Sequence, residues 1–235
     1  MSALRLESVS ISFGSVHAVE SLSLHLQPGE VYALLGPNGA GKTTTLNIIL
    51  GFLRPDSGLI AVAGVDAVSD PLGARARIGY LPETVMLHPS LSAIENLTYF
   101  ALLAGRKIDV TTARRLLSEA GLQAEAHERH SGSFSKGMRQ KVGVAIAMAK
   151  EASVLLLDEP TSGLDASAAN DLSNVIRAAS ARGIAVLMAT HDLFRVKDVA
   201  HRLGILRSGR LVDERDAATV DPVALEQLYL QRLAS

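Results

Sequence analysis

Hydrophobic and polar residues alternate loosely from Leu4 to Val9 and strictly through Leu22-Ser23-Leu24-His25-Leu26, which predicts strands with one wet face. Gln27-Pro28-Gly29-Glu30 reads as a turn, and Val31 to Leu35 is a continuous apolar run, the pattern of a strand buried on both faces. A glycine-rich loop follows, then a helix from about Lys42 to Leu50, stopped by Gly51. Arg54-Pro55-Asp56-Ser57-Gly58 is a further turn, leading to a strand over Leu59 to Val62. The middle of the chain is helical. Ser92 to Leu103 is one helix, Asp109 caps another that runs to Ala120 and closes at Gly121, and Met138, Val142, Ala145, Ile146 and Ala149 fall at helical spacing. Two more buried strands, Val154 to Leu157 and Ile184 to Ala189, have helices between and after them. Strands alternating with helices predict an α/β fold with a mainly parallel core sheet. The strand-rich first third adds an antiparallel edge, and a helical subdomain is inserted at about 84–150. With no internal repeat, low-complexity tract or long linker, one domain is expected over 1–235.

Composition narrows the classes. Of 235 residues, 48% are hydrophobic and 20% charged, which excludes a disordered or fibrous chain. There is no cysteine, so disulfides, thiolate-bound zinc, iron–sulfur clusters and thiol nucleophiles are out, in keeping with a reducing compartment. The 23 basic and 24 acidic residues leave no basic excess to neutralise a phosphate backbone, so no nucleic-acid partner is expected. Mean hydropathy is high at +0.23. Yet the apolar runs are short and none approaches the ~20 residues that span a bilayer. The opening Met1-Ser2-Ala3-Leu4-Arg5-Leu6-Glu7 lacks the regions of a signal peptide. Two readings of the hydropathy stay open: strands buried on both faces, or a membrane-facing surface.

Two segments carry chemistry. Gly36-Pro37-Asn38-Gly39-Ala40-Gly41-Lys42-Thr43 fits G-x-x-x-x-G-K-[ST], after a buried strand and at the start of a helix that Thr44 continues. Glycines let successive N–H groups converge on one point, and the helix N-terminus adds positive potential. Lys42 reaches β- and γ-phosphates, and the Thr43 hydroxyl suits Mg²⁺. The bland alternative is a glycine-rich turn with an exposed lysine. The second segment is the apolar strand ending in Asp158 and Glu159. Ligands of parallel sheets sit beyond the carboxyl ends of strands. There Asp158 would hold Mg²⁺ through its water shell and Glu159 would polarise a water for attack on the γ-phosphate. Without the loop upstream, two solvated acids would be the better reading.

These motifs fit many P-loop proteins; the next ones narrow the choice. Phe134-Ser135-Lys136-Gly137-Met138-Arg139-Gln140 resembles the L-S-G-G-Q signature of ABC-transporter ATPases, with Lys136 in place of the first glycine and Met138 in place of the glutamine. The S-K-G-M form is similar to that of ABC-2-type exporter ATPases. Ser162-Gly163-Leu164-Asp165 resembles the family's D-loop, His191 stands at its switch histidine, and Phe13 at the aromatic that stacks on adenine. Order and spacing match from residue 4 to about 212. Glu83, in Gly79-Tyr80-Leu81-Pro82-Glu83, departs from the family's usual glutamine, a position that contacts Mg²⁺ or the attacking water. A glutamate there is similar to the ATPase of the nitrous-oxide-reductase maturation branch. It keeps an oxygen ligand, loses an amide donor and adds a negative charge.

The resemblance implies a P-loop NTPase fold and ATP with Mg²⁺ as ligands. It implies a homodimer or ATPase heterodimer with composite sites. One subunit would offer the phosphate loop, Asp158, Glu159 and His191; the other would offer Ser135 and Gly137, at a helix N-terminus aimed at the γ-phosphate. Asp165, in the D-loop, would also bind nucleotide. Separate transmembrane permease subunits would place the protein peripherally on the cytoplasmic face of the cell membrane. The apolar stretch through Met86, Leu87, Pro89 and Leu91 would receive a permease helix. Alternatives are an ABC-type ATPase without a permease, acting on DNA or ribosomes, and a P-loop kinase. The first usually has a long coiled-coil insertion or two ATPase modules, and Thr43 and Ser135 lie too close for such an insertion; the second lacks a signature motif. Read alone, His191 is an ordinary strand-end histidine and Phe13 a core residue. His127 and His130, on a polar stretch, read as solvated rather than as metal ligands.

Overall fold

The computed structural model describes residues 2–234; Met1 and Ser235, the ends of the expected domain, lie outside the described residues. In chain order the elements are β1 (Leu4–Phe13), β2 (Val16–Leu26), β3 (Val31–Leu35), α1 (Lys42–Ile49), β4 (Ser57–Val62), β5 (Val65–Asp66), α2 (Pro71–Ala76) and β6 (Ile78–Leu81). Then come α3 (Ala93–Leu103), α4 (Val110–Glu119), α5 (Lys136–Ala149), β7 (Val154–Asp158), α6 (Ala166–Ala181), β8 (Ala185–Thr190), α7 (Leu193–Val199), β9 (Arg202–Arg207), β10 (Arg210–Asp216) and α8 (Pro222–Ala234).

Six strands form the core sheet in the order β10-β9-β3-β8-β7-β6, parallel except for β10. A second, antiparallel sheet has the order β2-β1-β4-β5. The continuous apolar runs follow from the placement of the core sheet between two hydrophobic clusters. In β3, Val31, Ala33 and Leu35 face a cluster shared with α3 to α7, while Tyr32 and Leu34 face one shared with the antiparallel sheet and α1. β7 and β8 divide their side chains in the same way. The high hydropathy is therefore that of strands buried on both faces. Among the described residues no helix is long and apolar enough to cross a membrane.

The loose alternation of β1 has a local cause. Leu4 and Leu6 point inward, then Val9 and Ile11; the register slips between Leu6 and Val9, with Ser8 at φ +48°. This is a bulge that inserts one residue and restores the inward face. It also changes the expected turn at Arg54–Gly58. β4 already begins at Ser57, and Gly58 runs past the bulge at φ +99°, where a Cβ would lie 2.6 Å from Val9 Cα. Glycine there marks close approach of two strands rather than a turn. Four further strands escape the pattern: β5, β6, β9 and β10. β6 is a four-residue edge, and β9 and β10 form a hairpin where helices were expected.

The helices start where the polar signals place them. Ser92 and Glu95 form a reciprocal capping box on α3, Asp109 caps α4, Ser135 caps α5 and Asp165 caps α6. His127 corrects the sequence reading. It is buried, with Nε2 3.1 Å from the Leu122 carbonyl, because the turn after α4 folds back on the helices; His130 is exposed as expected.

Candidate active site

Residues 36–41 form a loop that joins the carboxyl end of β3 to α1. Gly41, at φ +104°, lies so close to the β2 backbone that a Cβ would fall 2.3 Å from the Ala18 carbonyl oxygen. Unlike α3, α4, α5 and α6, α1 begins with no side-chain cap, and no acidic residue stands in its first turn. Its leading N–H groups are thus left for an anion rather than for the chain's own oxygen atoms. Lys42 is buried beneath the loop. Its Nζ donates to the Gly36 carbonyl at 2.7 Å and the Pro37 carbonyl at 3.2 Å, and lies 3.2 Å from Glu159 Oε1. The adjoining cleft, about 400 Å³, is lined by Pro37, Asn38, Gly39, Gly41, Lys42, Thr43, Thr44, Glu83 and Glu159.

β7 delivers the carboxylates. Asp158 is buried, which pushes its pKa up; Thr43 Oγ1 opposes this by donating to Oδ1 at 3.3 Å, while the charges of Glu159 and Glu83 add to the rise. Glu159 is buried too, yet the sign reverses. Burial pushes its carboxyl up, but the hydrogen bond from His191 and the Lys42 cation together hold it below the usual range. An ionised carboxylate only accepts, so His191 Nδ1, 2.9 Å from Oε2, is the donor. Thr190 Oγ1 donates to the same oxygen at 3.2 Å and the His191 N–H at 3.3 Å. Glu159 adopts φ +45°, sparsely populated by non-glycine residues, and its own N–H is tied to the Ala189 carbonyl at 2.8 Å. Adjacent β7 and β8 thus present Glu159 and His191 to each other.

Glu83 follows β6 on the other side of β7. It is exposed, lines the Lys42 cleft, and accepts a hydrogen bond at Oε1 from Ser162 Oγ at 3.2 Å. Thr43, Asp158 and Glu83 offer hydroxyl and carboxylate oxygens, a donor set that fits Mg²⁺. Among the described residues no three His, Cys, Asp or Glu gather to hold a metal by themselves. That suits an ion shared between a few protein oxygens and phosphates rather than one caged by protein alone.

The remaining predicted residues sit elsewhere. Ser135 and Gly137 open α5, and Asp165 opens α6; none of the three lines the Lys42 cleft. These two helix starts pack together: a Cβ on Gly137 would touch Ala168 at 3.1 Å and Leu164 at 3.6 Å, and Gly163 lies against Lys136. Phe13 is half exposed at the β1–β2 turn, opposite Val16, and it is Val16 that lines the cleft. Gly36 and Ala40 belong to the loop but not to the cleft wall. A second hollow of about 400 Å³, lined by Thr161, Ser162, Gly163, His191 and Phe194 among others, shares Glu159 with the first. Sequence reasoning missed His17, Ala18 and Ser208 in the wall and Thr190 on Glu159. The first three come from two hairpins of different sheets and carry no local motif.

Comparisons with known proteins fit this geometry. Residues 19–162 match the family model described as ABC transporter. The chain is 37% identical over 214 residues to the Nod factor export ATP-binding protein I of Paraburkholderia xenovorans (strain LB400), covering 90% of this chain and 70% of that one. It is 31% identical over 211 residues to the linearmycin resistance ATP-binding protein LnrL of Bacillus subtilis (strain 168), covering 89% and 68%. Such relatives are longer; the chain spans 65% of the Burkholderia pseudomallei (strain K96243) Nod factor export ATP-binding protein I. Among solved structures, an ATP-binding subunit of an ABC transporter superposes with a TM-score of 0.84 at 29% identity, covering 97% of this chain and 98% of that one. A dimeric ATP-binding cassette bound to ADP and Pi gives 0.81 at 24% identity, covering 91% and 98%, and shares the fold.

Proposed function

The chain belongs to the ABC transporter family, as an ATP-binding subunit that hydrolyses ATP, and from that premise we propose how its residues divide the work. The loop N–H groups and Lys42 hold the β- and γ-phosphates of ATP. The single observation that carries this is the uncapped start of α1 above a buried lysine. Thr43, Asp158 and Glu83 hold Mg²⁺, which when bound offsets phosphate charge. Glu159 accepts the proton of the attacking water. His191 fixes the direction of the Glu159 carboxylate by its 2.9 Å contact. The phosphates compete with Glu159 for Lys42, whose contact at 3.2 Å joins the two. Once Lys42 turns to phosphate, Glu159 loses one of the charges that lower its pKa and becomes a better base.

Ser135 and Gly137 act on the nucleotide of a second subunit, and Asp165 stands at the same face. The subunit is a second copy of this chain or a related ATPase. Support comes from the α5 N-terminus, which lies outside the chain's own phosphate cleft and carries no acidic residue in its first turn. ATP closes the pair and hydrolysis opens it. Residues 84–150 form the helical subdomain that moves with closure. Separate permease subunits, docked beside exposed Met86, hold the protein at the cytoplasmic face of the membrane. The S-K-G-M signature and the similarity to export and resistance ATP-binding proteins favour an ABC-2-type exporter.

The test is the dependence of ATP turnover on protein concentration. Composite sites give an order above one below dimer saturation; a first-order dependence throughout, with ATP still bound, sinks the two-subunit reading. Co-purification from membranes with mass identification of the partner tests the permease.

A further inference from the structure

At the end of α5 remote from Ser135 lies a cleft of about 840 Å³, twice the volume of the one beside Lys42. It separates α4 from the last turns of α5 and α6. Its floor is apolar: Leu116, Ala149, Ala152 and Ala179 are buried, with Met148 and Ile184 half-buried beside them. Its rim is cationic, with Arg106, Lys107, Arg115 and Arg182.

The charges at this rim do not balance. Arg115 Nη1 and Arg182 Nη1 share one carboxylate, that of Glu119, at 2.7 and 3.0 Å. Each guanidinium carries five N–H donors, so most remain without a protein acceptor among the described residues. Lys107 has no ion pair among the described residues. Two acids stand at the rim, and both are engaged. Asp109 accepts from the Thr112 N–H at 2.7 Å as the cap of α4, and Glu151 pairs with Arg106. The carbonyl ends of α5 and α6 add negative potential, opposed by the α6 C-cap Arg182 itself.

We propose that this cleft binds a small amphipathic anion, a carboxylate or phosphate head on an apolar body. The head engages Lys107 and the free N–H groups of Arg115 and Arg182; the body lies on Leu116, Ala152 and Ala179. Charge-assisted bonds from a planar fork fix the head, and apolar burial supplies the rest. A bound ligand would join α4 to α6, the helices already bridged by Glu119 and Arg182. Nothing in this assignment depends on the division of roles at the phosphate loop.

The experiment is calorimetric titration of the full chain with octanoate, octyl phosphate, 1-octanol and inorganic phosphate. Octanoate and octyl phosphate bind; 1-octanol, without the charge, and inorganic phosphate, without the body, bind at least about tenfold more weakly. Lys107→Glu with Arg182→Glu weakens octanoate by about tenfold or more, at a melting temperature lowered by loss of the Arg182–Glu119 pair, and Arg182→Lys loses less. No binding of either amphiphile overturns the proposal, as does equal affinity for octanoate and 1-octanol, equal affinity for inorganic phosphate, or an undiminished affinity in the double variant. Since the comparison among probes uses the unaltered chain, it decides the matter even if the double variant does not fold.

Discussion

The N-termini of α1 and α5 both carry residues of one expected nucleotide site, and they are built in opposite ways. α1 is left uncapped over a buried cation, and β7, β8 and the segment after β6 converge on it with Asp158, Glu159, His191 and Glu83. α5 is capped by its own Ser135, whose Oγ accepts from the Met138 N–H at 3.3 Å, and packs on the start of α6. The first is a site with its electrostatics assembled inside one chain. The second is a rigid helix end with nothing of the chain's own cleft in front of it. In the proposed reading two such halves complete each other across a pair of subunits, so that closure, not binding alone, would set the chemistry.

The largest effect should come from emptying the assembled half. In Lys42→Ala, hydrolysis is lost and ATP affinity falls sharply, because the buried cation facing the phosphates is gone. Turnover at the wild-type rate, read by phosphate release, would falsify the assigned loop. Next, Glu159→Gln keeps the carbonyl oxygen but cannot take a proton. Turnover falls by about 10²–10⁴-fold with ATP still bound, and the variant elutes as an ATP-trapped dimer. An ATP-loaded monomer that still hydrolyses removes Glu159 as the base.

A mixing experiment probes the contrast itself. Lys42→Ala and Ser135→Arg chains are each inactive alone. Combined, they regain partial turnover, since one heterodimer site then has an intact loop and an intact α5 start. If the mixture stays as dead as its parts, the two helix ends do not serve one site.

Smaller effects belong to Glu83. A carboxylate beside three phosphates repels them unless Mg²⁺ intervenes. Glu83→Gln therefore raises metal-free ATP affinity and changes little at saturating Mg²⁺; coincident metal-free affinities would remove Glu83 from the phosphate side. Smallest is Ser162→Ala, which removes the hydroxyl on Glu83 Oε1. About twofold to tenfold weaker Mg²⁺ activation is expected for loss of one exposed hydrogen bond. Ser162→Thr restores it, and the same Ser162→Ala change in a Glu83→Leu background has no further effect on Mg²⁺ activation.

Much of this was legible in the chain. Local chemistry fixes local structure, so the phosphate loop, the helix starts at Ser92 and Asp109, and the buried runs of β3, β7 and β8 could be read directly. Short edges could not. β5 has two residues and β6 four, too few for a period to show; β9 depends on β3, distant in sequence, and β10 is an edge that forms only once β9 is in place. His127 looked solvated because its neighbours are polar; only the fold-back of the turn after α4 buries it.

The cleft walls mark the same boundary. Sequence by itself determined which residues can bind phosphate, accept a proton or begin a helix, because glycine freedom, side-chain charge and hydrogen-bonding capacity are properties of a few adjacent residues. Tertiary structure alone decided that Lys42 lies 3.2 Å from Glu159, and that burial raises Asp158 while Glu159 is lowered. It also decided that Val16, His17 and Ser208 close the wall and that four cations gather at the far end of α5. Those outcomes depend on distance and on the exclusion of water, and both exist only once strands far apart in sequence have paired.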